Sequence, residues 1–258
     1  MNAQADSTSI GTRVLSRTSS AQLYELRLAT TAEEIRAAQT LRFLVFNLEL
    51  NEGLEQSFAT CLDADPFDEI CDHLIVVEKG TREIVGTYRL QTGNAAVRNK
   101  GFYSASEFDL TPFNPIVSEI VELGRACVHR QHRNLQVLSL LWGGIAAYCR
   151  ERNCRYLIGC SSIPSTDPTI GARVYSDLCR KHLVDGAFQT TPLPHLACPL
   201  DQLSAAPFKL PKLLGAYLSL GAKICGAPAL DQEFKTIDFL TLLDLNLLSP
   251  RMLERFSM

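Results

Sequence analysis

An α/β domain built around a mixed, twisted β-sheet is the fold that this sequence predicts. Periodic segments alternate along the chain as strand, helix, hairpin, strand, helix, strand and helix before a mixed C-terminal region, an order typical of helices packed on one sheet. With 46% apolar and 21% charged residues among 258, the composition allows a core of normal size. Apolar runs all fall short of the roughly 20 residues that span a bilayer. We expect one domain over residues 21–258 and a mobile tail over residues 1–20.

Three segments predict the first half of the sheet. Residues 23–29 alternate like a half-buried strand. Thr31 and Glu34 then form a capping-box signature, which predicts the start of a helix. Residues 72–92 contain two runs rich in β-branched residues around a polar turn, which predicts a hairpin.

The second half is predicted from alternating strands and helices that end in a C-terminal extension. The predicted elements are a strand over Val121–Val128, a helix after the turn at residues 129–134, a strand over Arg155–Ile163, a helix from Asp167 and Pro168, a loop insertion over Gln189–Pro211, a short apolar helix before Gly221 and a last strand over residues 234–245. The helix after the turn follows from apolar residues spaced at i, i+3, i+4, i+7 and i+11 from Leu138 to Cys149. The next helix follows from Thr166 or Asp167 as N-cap with Pro168 in the first turn.

Charge and cysteine content exclude several classes of function. Lys and Arg number 25 against 28 Asp and Glu, a net charge of −3, so the overall charge does not support nucleic-acid binding. The nine cysteines include no Cys-x-x-Cys pair, which leaves zinc and thioredoxin-like sites without support. We expect buried, reduced thiols in a cytoplasmic protein.

Five runs resemble one family of acyltransferases. They are LRFLVFNLEL, DADPFDEICDHLIVVE, IVGTYRLQ, VELGRACVHRQHRN and LGAKICGAPALDQEFKTIDFLTLLDL. With the strand, basic turn, helix and strand that follow residue 121, these runs are similar to the ornithine-lipid N-acyltransferases, also called hemolysin-like proteins, of the GNAT superfamily. The resemblance covers about residues 22–248. It implies a GNAT-like mixed sheet flanked by helices, with a C-terminal extension.

This resemblance implies a reaction. A fatty acyl group, typically 3-hydroxylated, passes from an acyl carrier protein thioester to the α-amine of ornithine. The donor is the acyl-phosphopantetheine of the carrier protein, and no permanently bound cofactor is expected. Two alternatives remain open: acylation of another amino acid or amine, and a non-enzymatic module that binds carrier protein or lipid.

A weaker resemblance is to the acyl-homoserine-lactone synthases. It rests on charged positions of a shared ground plan, namely Arg42, Asp65, Asp68, Arg89, Glu122 and Arg125. The first four are assigned by this resemblance to the acceptor side, where paired acidic and basic groups suit ornithine. Solvated loop charges are the alternative for each Asp, and no metal is expected because the spacing does not fit an EF-hand loop.

A basic turn takes the place of the glycine-rich phosphate loop found in CoA-dependent relatives. Asn134 and Gln136 occupy the two glycine positions, so a close backbone approach to a pyrophosphate is not expected. One phosphate on a carrier-protein arm and an acidic protein surface suit the turn better. The predicted donor-binding residues are Cys127, Val128, Arg130, His132, Arg133 and Asn134, and a solvated basic turn is the alternative.

Glu122 is the candidate general base, because amide formation requires a neutral amine and a base contributes about 10²–10⁴-fold. It begins the strand that, with Arg155–Ser161, borders the expected thioester crevice, and partial burial raises a carboxyl pKa towards a useful range. An ion pair with Arg125 is the alternative, and Arg125 could also orient Glu122. Since strand alternation puts the two on opposite faces, we predict a β-bulge at Gly124.

The acyl chain requires an apolar slot, and its product is amphiphilic. Aromatic candidates for the slot, each of which could instead be plain core, are Phe43, Phe46, Phe102, Tyr103, Phe108 and Trp142. An apolar helix with Leu213, Leu214, Tyr217 and Leu218 could touch lipid or simply pack. Peripheral contact with the inner face of the cytoplasmic membrane is therefore a hypothesis.

Overall fold

Eight strands form one sheet in residues 23–248, the part of the chain that the computed structural model describes. They are β1 Tyr24–Leu28, β2 Asp72–Glu78, β3 Ile84–Thr92, β4 Ile120–Val128, β5 Tyr156–Ile163, β6 Lys223–Ile224, β7 Ala229–Asp231 and β8 Thr236–Asp244. The order across the sheet is β1-β2-β3-β4-β5-β8-β6, and β7 also pairs with β8. β4 and β5 run parallel, and the other pairs are antiparallel. The mixed α/β fold is thus confirmed, while the tail predicted over residues 1–20 lies outside the described residues.

Five α-helices flank the sheet, and polar caps fix where four of them begin. They are α1 Ala32–Phe43, α2 Gly93–Arg98, α3 Leu135–Glu151, α4 Pro168–His182 and α5 Lys212–Ser219. The side chains of Thr31, Thr92, Asn134 and Asp167 accept hydrogen bonds from first-turn N–H groups of α1, α2, α3 and α4 respectively. These side chains satisfy backbone donors that otherwise have no partner at a helix start.

The core lies on both faces of the sheet. Leu141 and Ile145 of α3 are buried against Leu74 and Val76 of β2, while Ala38 of α1 packs on the opposite face. Both faces of the sheet are therefore packed, so an opening between β4 and β5 lies inside the protein.

Several short elements were not predicted. α1 continues into a π-helix over Leu44–Glu49, and α2, β6 and β7 are too short to show a period. Residues 189–211 are largely irregular, as expected for a loop insertion. The nine cysteines are all unpaired and most are buried or partly buried, which agrees with the reduced-thiol prediction.

Helix α5 packs its apolar side against the protein core. Leu214 and Leu218 are buried, and only Leu213 of the apolar residues proposed to touch lipid is clearly exposed. Those two leucines therefore belong to the core, which contradicts the hypothesis that they meet a membrane. Within residues 23–248, none of the helices has both the length and the apolar character needed to cross a bilayer.

Candidate active site

Strands β4 and β5 separate after three paired positions. Residues 120–122 lie in register with residues 156–158, and the ladder ends there. Gly159 lies at the point of divergence, where a Cβ would be 2.4 Å from the carbonyl oxygen of Leu123. Beyond it a cavity of about 330 Å³ is lined by both strands. This is the crevice that the sequence predicted between them.

A β-bulge brings Glu122 and Arg125 to the same cavity. Arg89 pairs with Gly124 and Thr87 with Cys127, so two residues of β4 lie opposite Tyr88 alone. The predicted bulge is confirmed, but its left-handed residue is Arg125, with φ of 50°, and not Gly124. A non-glycine residue keeps this conformation only where its surroundings hold it.

The Glu122 carboxylate is buried and doubly hydrogen-bonded. Its Oε2 accepts from the N–H of Tyr103 and its Oε1 from the N–H of Ser104, each at 2.7 Å. Burial raises the pKa of Glu122, although these hydrogen bonds act in the opposite direction. Arg125 pairs with Asp63 and Asp65, so the alternative of a Glu122–Arg125 ion pair is not formed among residues 23–248.

Three arginines and three aspartates form a closed ionic cluster behind the cavity wall. Arg42 makes a bidentate pair with Asp68 at 2.8 Å for both contacts, Arg89 reaches Asp65 at 2.6 Å and Asp68 at 3.1 Å, and Arg125 contacts Asp63 at 3.2 Å. Burial raises the pKa of Asp68, but the Arg42 guanidinium outweighs it and holds that pKa below its usual range.

The members of this cluster differ in their access to the cavity. Arg89 and Arg125 line it, and the Arg125 guanidinium lies between the rings of Tyr103 and Phe234, at 4.9 Å and 4.6 Å from their centroids. Arg42 is fully buried and is absent from the cavity lining, as are Asp65 and Asp68. Arg42 therefore does not line the cavity itself. It pairs with Asp68, which in turn pairs with the cavity residue Arg89.

A second set of charged residues was missed by sequence reasoning. Glu52, Glu107, Asp231 and Asp238, called here the acidic group, line the same cavity. Carboxylate oxygens of Glu107, Asp231 and Asp238 lie within 4.8 Å of one another, which is close enough to share one cation. Asp238 gave a signal that could have been used, since it is an isolated carboxylate in the buried apolar strand β8.

The predicted donor-binding residues begin with Cys127 and Val128, whose side chains are packed in the protein. Cys127 is buried beside Leu41 and Val45, and burial raises the pKa of its thiol to about 12. Val128 is half-buried and packs on the α3 side of the sheet. Neither side chain is therefore available to bind the acyl donor, although both residues belong to β4, the strand that separates from β5.

Beyond Val128, most side chains of the turn are tied to the fold. His132 Nδ1 lies 3.0 Å from the Tyr24 hydroxyl, Asn134 caps α3, and Arg133 forms a bidentate pair with Glu49. Arg130 is exposed, and no ion pair within residues 23–248 includes it.

Part of the cavity lining is apolar. Trp142, Leu157, Leu214, Tyr217 and Leu243 belong to it. Of the aromatic candidates for an acyl slot, Phe46, Tyr103 and Trp142 line the cavity, whereas Phe43, Phe102 and Phe108 are buried elsewhere in the core. One cavity is thus lined by both apolar and charged residues, and Glu122 is among the charged ones.

A parallel strand pair that separates around a cavity, next to a strand–turn–helix, is the arrangement of a GNAT acyltransferase. The family profile described as "Acetyltransferase (GNAT) domain" matches residues 41–143. The solved structure of FeeM, an N-acyl amino acid synthase from uncultured soil microbes, is similar with a TM-score of 0.52, covering 87% of this chain and 92% of that one at 14% identity. The AHL synthase LasI gives a TM-score of 0.50 over 86% and 90% at 10% identity. At these identities the likeness shows the fold alone.

Sequence comparison narrows the class. The L-ornithine N(alpha)-acyltransferase of Agrobacterium fabrum is 34% identical over 248 residues, covering 90% of this chain and 84% of that protein. The protein of the same name from Brucella abortus is 34% identical over 253 residues, covering 90% and 88%. The chain belongs to the L-ornithine Nα-acyltransferase family, as the sequence runs predicted.

Proposed function

We propose that this protein transfers a fatty acyl group from the thioester of acyl carrier protein to the α-amine of L-ornithine, which gives a lyso-ornithine lipid. The observation that carries the proposal is one cavity lined by both apolar and charged residues, with Glu122 among the charged ones. An acyl thioester and a zwitterionic amino acid need these opposite surroundings. The names of the related proteins support ornithine as the acceptor.

In the proposed reaction Glu122 takes a proton from the α-ammonium group of the acceptor, directly or through water. The neutral amine then forms a C–N bond with the thioester carbonyl carbon while the C=O electron pair moves to oxygen. That pair returns as the C–S bond breaks, and the carrier-protein thiol leaves with a proton. The oxyanion needs a hydrogen-bond donor, and the proposed donor is a backbone N–H of the β4 bulge, where the ladder to β3 is interrupted.

Carrier protein is the proposed donor because of the surface around the start of α3. Arg130 is exposed, and Leu135 beside it has 81% of its surface accessible. An acidic protein with an apolar contact patch matches such a surface, since exposed cations steer and orient an acidic partner. The N-terminal turn of α3 also favours a phosphate group.

We further propose peripheral contact with the cytoplasmic face of a membrane. Leu44, Leu48, Leu50 and Phe58 are all more than 40% exposed, and Leu50 also lines the cavity. An amphiphilic product could leave along this patch. Co-sedimentation with anionic liposomes tests the proposal, and full activity without liposome binding contradicts it.

The reaction is tested by incubating the purified protein with 3-hydroxyacyl carrier protein and one amino acid at a time, followed by mass spectrometry. We expect N-acylornithine as the main product. The same assay with acyl-CoA separates the two classes of donor. Absence of an N-acyl product with every amine contradicts the proposed function, and a dominant product with another amino acid contradicts the acceptor.

A further inference from the structure

We propose that the acidic group of Glu52, Glu107, Asp231 and Asp238 is the subsite for the side-chain ammonium of the acceptor, and that it selects an amino acid with a cationic side chain. The inference rests on the proposed function, which supplies an amino-acid acceptor but not the means by which its side chain is recognised.

The first argument is the charge balance of the cavity. Arg89 and Arg125 line it, but both are paired with aspartates of the ionic cluster. No ion pair in the described part of the chain reaches a carboxylate of the acidic group. Asp238 accepts hydrogen bonds from Ser162 and Thr236, but neither of these donors carries a positive charge. Glu107 and Asp238 are buried, and buried carboxylates without an opposite charge are costly, so a cation from outside the chain fits this site.

The second argument is a set of buried polar atoms without hydrogen bonds among residues 23–248. Glu107 is 4% exposed, and its Oε2 has no partner. Gln91 is 2% exposed, and neither its amide nitrogen nor its amide oxygen has one. Both side chains line the cavity. Because buried polar atoms are almost always satisfied, two such side chains in the lining of one cavity indicate a polar ligand there.

The third argument is the position of the acidic group relative to the reacting end. Glu107 and Glu122 are tied to one 3-10 turn at Tyr103–Ser106. Ser104 N–H donates to Glu122 at 2.7 Å, and the Ser104 carbonyl accepts from Glu107 N–H at 3.1 Å. In extended ornithine the two nitrogens lie roughly 6 Å apart, given C–C and C–N bonds of about 1.5 Å. Since Glu107 and Glu122 line one cavity, the proposal places one nitrogen of such a short diamine at Glu122 and the other at the acidic group.

Electrostatics gives the acidic group its selectivity. Burial raises the pKa of Glu107 to about 9, with Asp238 and Asp231 adding to the effect. Burial likewise raises the pKa of Glu52 to about 7. An arriving ammonium stabilises the ionised forms and displaces protons. A neutral side chain cannot do so and leaves the polar atoms without partners, which is the physical basis of strong discrimination.

The test uses ornithine and norleucine, in which a methyl group replaces the side-chain ammonium. Titration calorimetry on the full chain measures the Kd of each ligand for the wild type, Glu107→Gln, Asp238→Asn and the control Glu151→Gln, whose side chain is 55% exposed on α3. We expect the wild type to prefer ornithine by at least about 10²-fold. Each cavity variant should weaken ornithine by about 10-fold or more and change norleucine by less than about 3-fold, in line with the loss of one charge-assisted contact.

Three results overturn the proposal. The wild type could bind ornithine no more tightly than norleucine, the cavity variants could weaken both ligands equally, or ornithine binding could require Mg²⁺ or Ca²⁺ and disappear with EDTA, which would assign the acidic group to a metal. Two isosteric variants, each checked by thermal unfolding, protect the test against one that fails to fold. Tight ornithine binding without N-acylornithine formation contradicts the proposed function and leaves the subsite supported.

Discussion

Glu122 is held inside the protein by two backbone N–H groups, and this arrangement determines how a substitution there should behave. Glu122→Gln removes the base but keeps the shape of the side chain. We expect kcat to fall by about 10²–10⁴-fold while ornithine binding remains. Because the new amide nitrogen cannot accept, one N–H loses its partner, at a cost of about 1–3 kcal/mol in the free energy of unfolding.

The pH profile distinguishes a base from a structural carboxylate. The pKa of Glu122 is raised by burial, and a base acts only when deprotonated. The wild-type kcat should therefore rise with pH through this raised pKa and level off above it, and the residual activity of Glu122→Gln should lack that limb. A variant that keeps the limb, or loses ornithine binding instead of kcat, contradicts the assignment.

At the scale of single residues, the sequence predicted which side chains belong to the site but not which residues they contact. Glu122 and Arg125 were identified by the resemblance to acyl-homoserine-lactone synthases, whereas their contacts come from elsewhere in the chain: Tyr103 and Ser104 for Glu122, Asp63 for Arg125. The acidic group was missed because tertiary folding alone brings its four carboxylates together. Their spacing along the chain has no local regularity to detect.

The close approach of β5 to β4 at the start of the crevice requires Gly159, and Gly124 provides the control. A methyl group at Gly159 would lie 2.4 Å from the Leu123 carbonyl, whereas one at Gly124 has no atom within 4 Å. We expect Gly159→Ala to cost about 1–3 kcal/mol by overpacking. Gly124→Ala should stay within about 0.5 kcal/mol but raise KM for the acyl donor, because its methyl group enters the cavity.

Urea denaturation and initial rates for the two variants check this pair. Equal destabilisation by both substitutions, or an unchanged donor KM in Gly124→Ala, contradicts the assigned geometry.

The β4 bulge shows how much of an element can be predicted from sequence patterns. Its existence followed from the need to bring two side chains to one face, but its position at Arg125 depends on the aspartates that hold the guanidinium.

The ionic cluster links α1 to β3 and β4. Arg42 is fully buried and Asp68 nearly so, and removing one partner of a buried pair leaves an uncompensated charge. We expect Arg42→Met to lower the free energy of unfolding by about 3–5 kcal/mol. Arg173→Met, which breaks the exposed pair with Asp177 at 2.9 Å, should cost only about 0.3–0.5 kcal/mol. Equal losses in urea denaturation contradict a structural role for the cluster.

At the scale of the whole molecule, the net charge is −3, but the turn before α3 presents an exposed positive charge. Arg133 is neutralised by Glu49, which leaves Arg130 as the exposed cation of the turn before α3. If an acidic carrier protein docks there, its affinity depends on ionic strength, since exposed charges are screened over about 8–10 Å at physiological salt.

Arg130→Glu should therefore raise KM for acyl carrier protein by about 10-fold at low salt, the effect of losing roughly 1.4 kcal/mol of binding free energy, and leave kcat nearly unchanged. The control is Arg150→Glu, which reverses an exposed cation at the opposite end of α3. An acyl-pantetheine thioester without the carrier protein should show the same KM with all three proteins. Because docking charges act before the chemical step, the difference between Arg130→Glu and Arg150→Glu should shrink as salt increases. If the two variants behave alike, or KM does not respond to salt, the carrier protein does not dock on this turn.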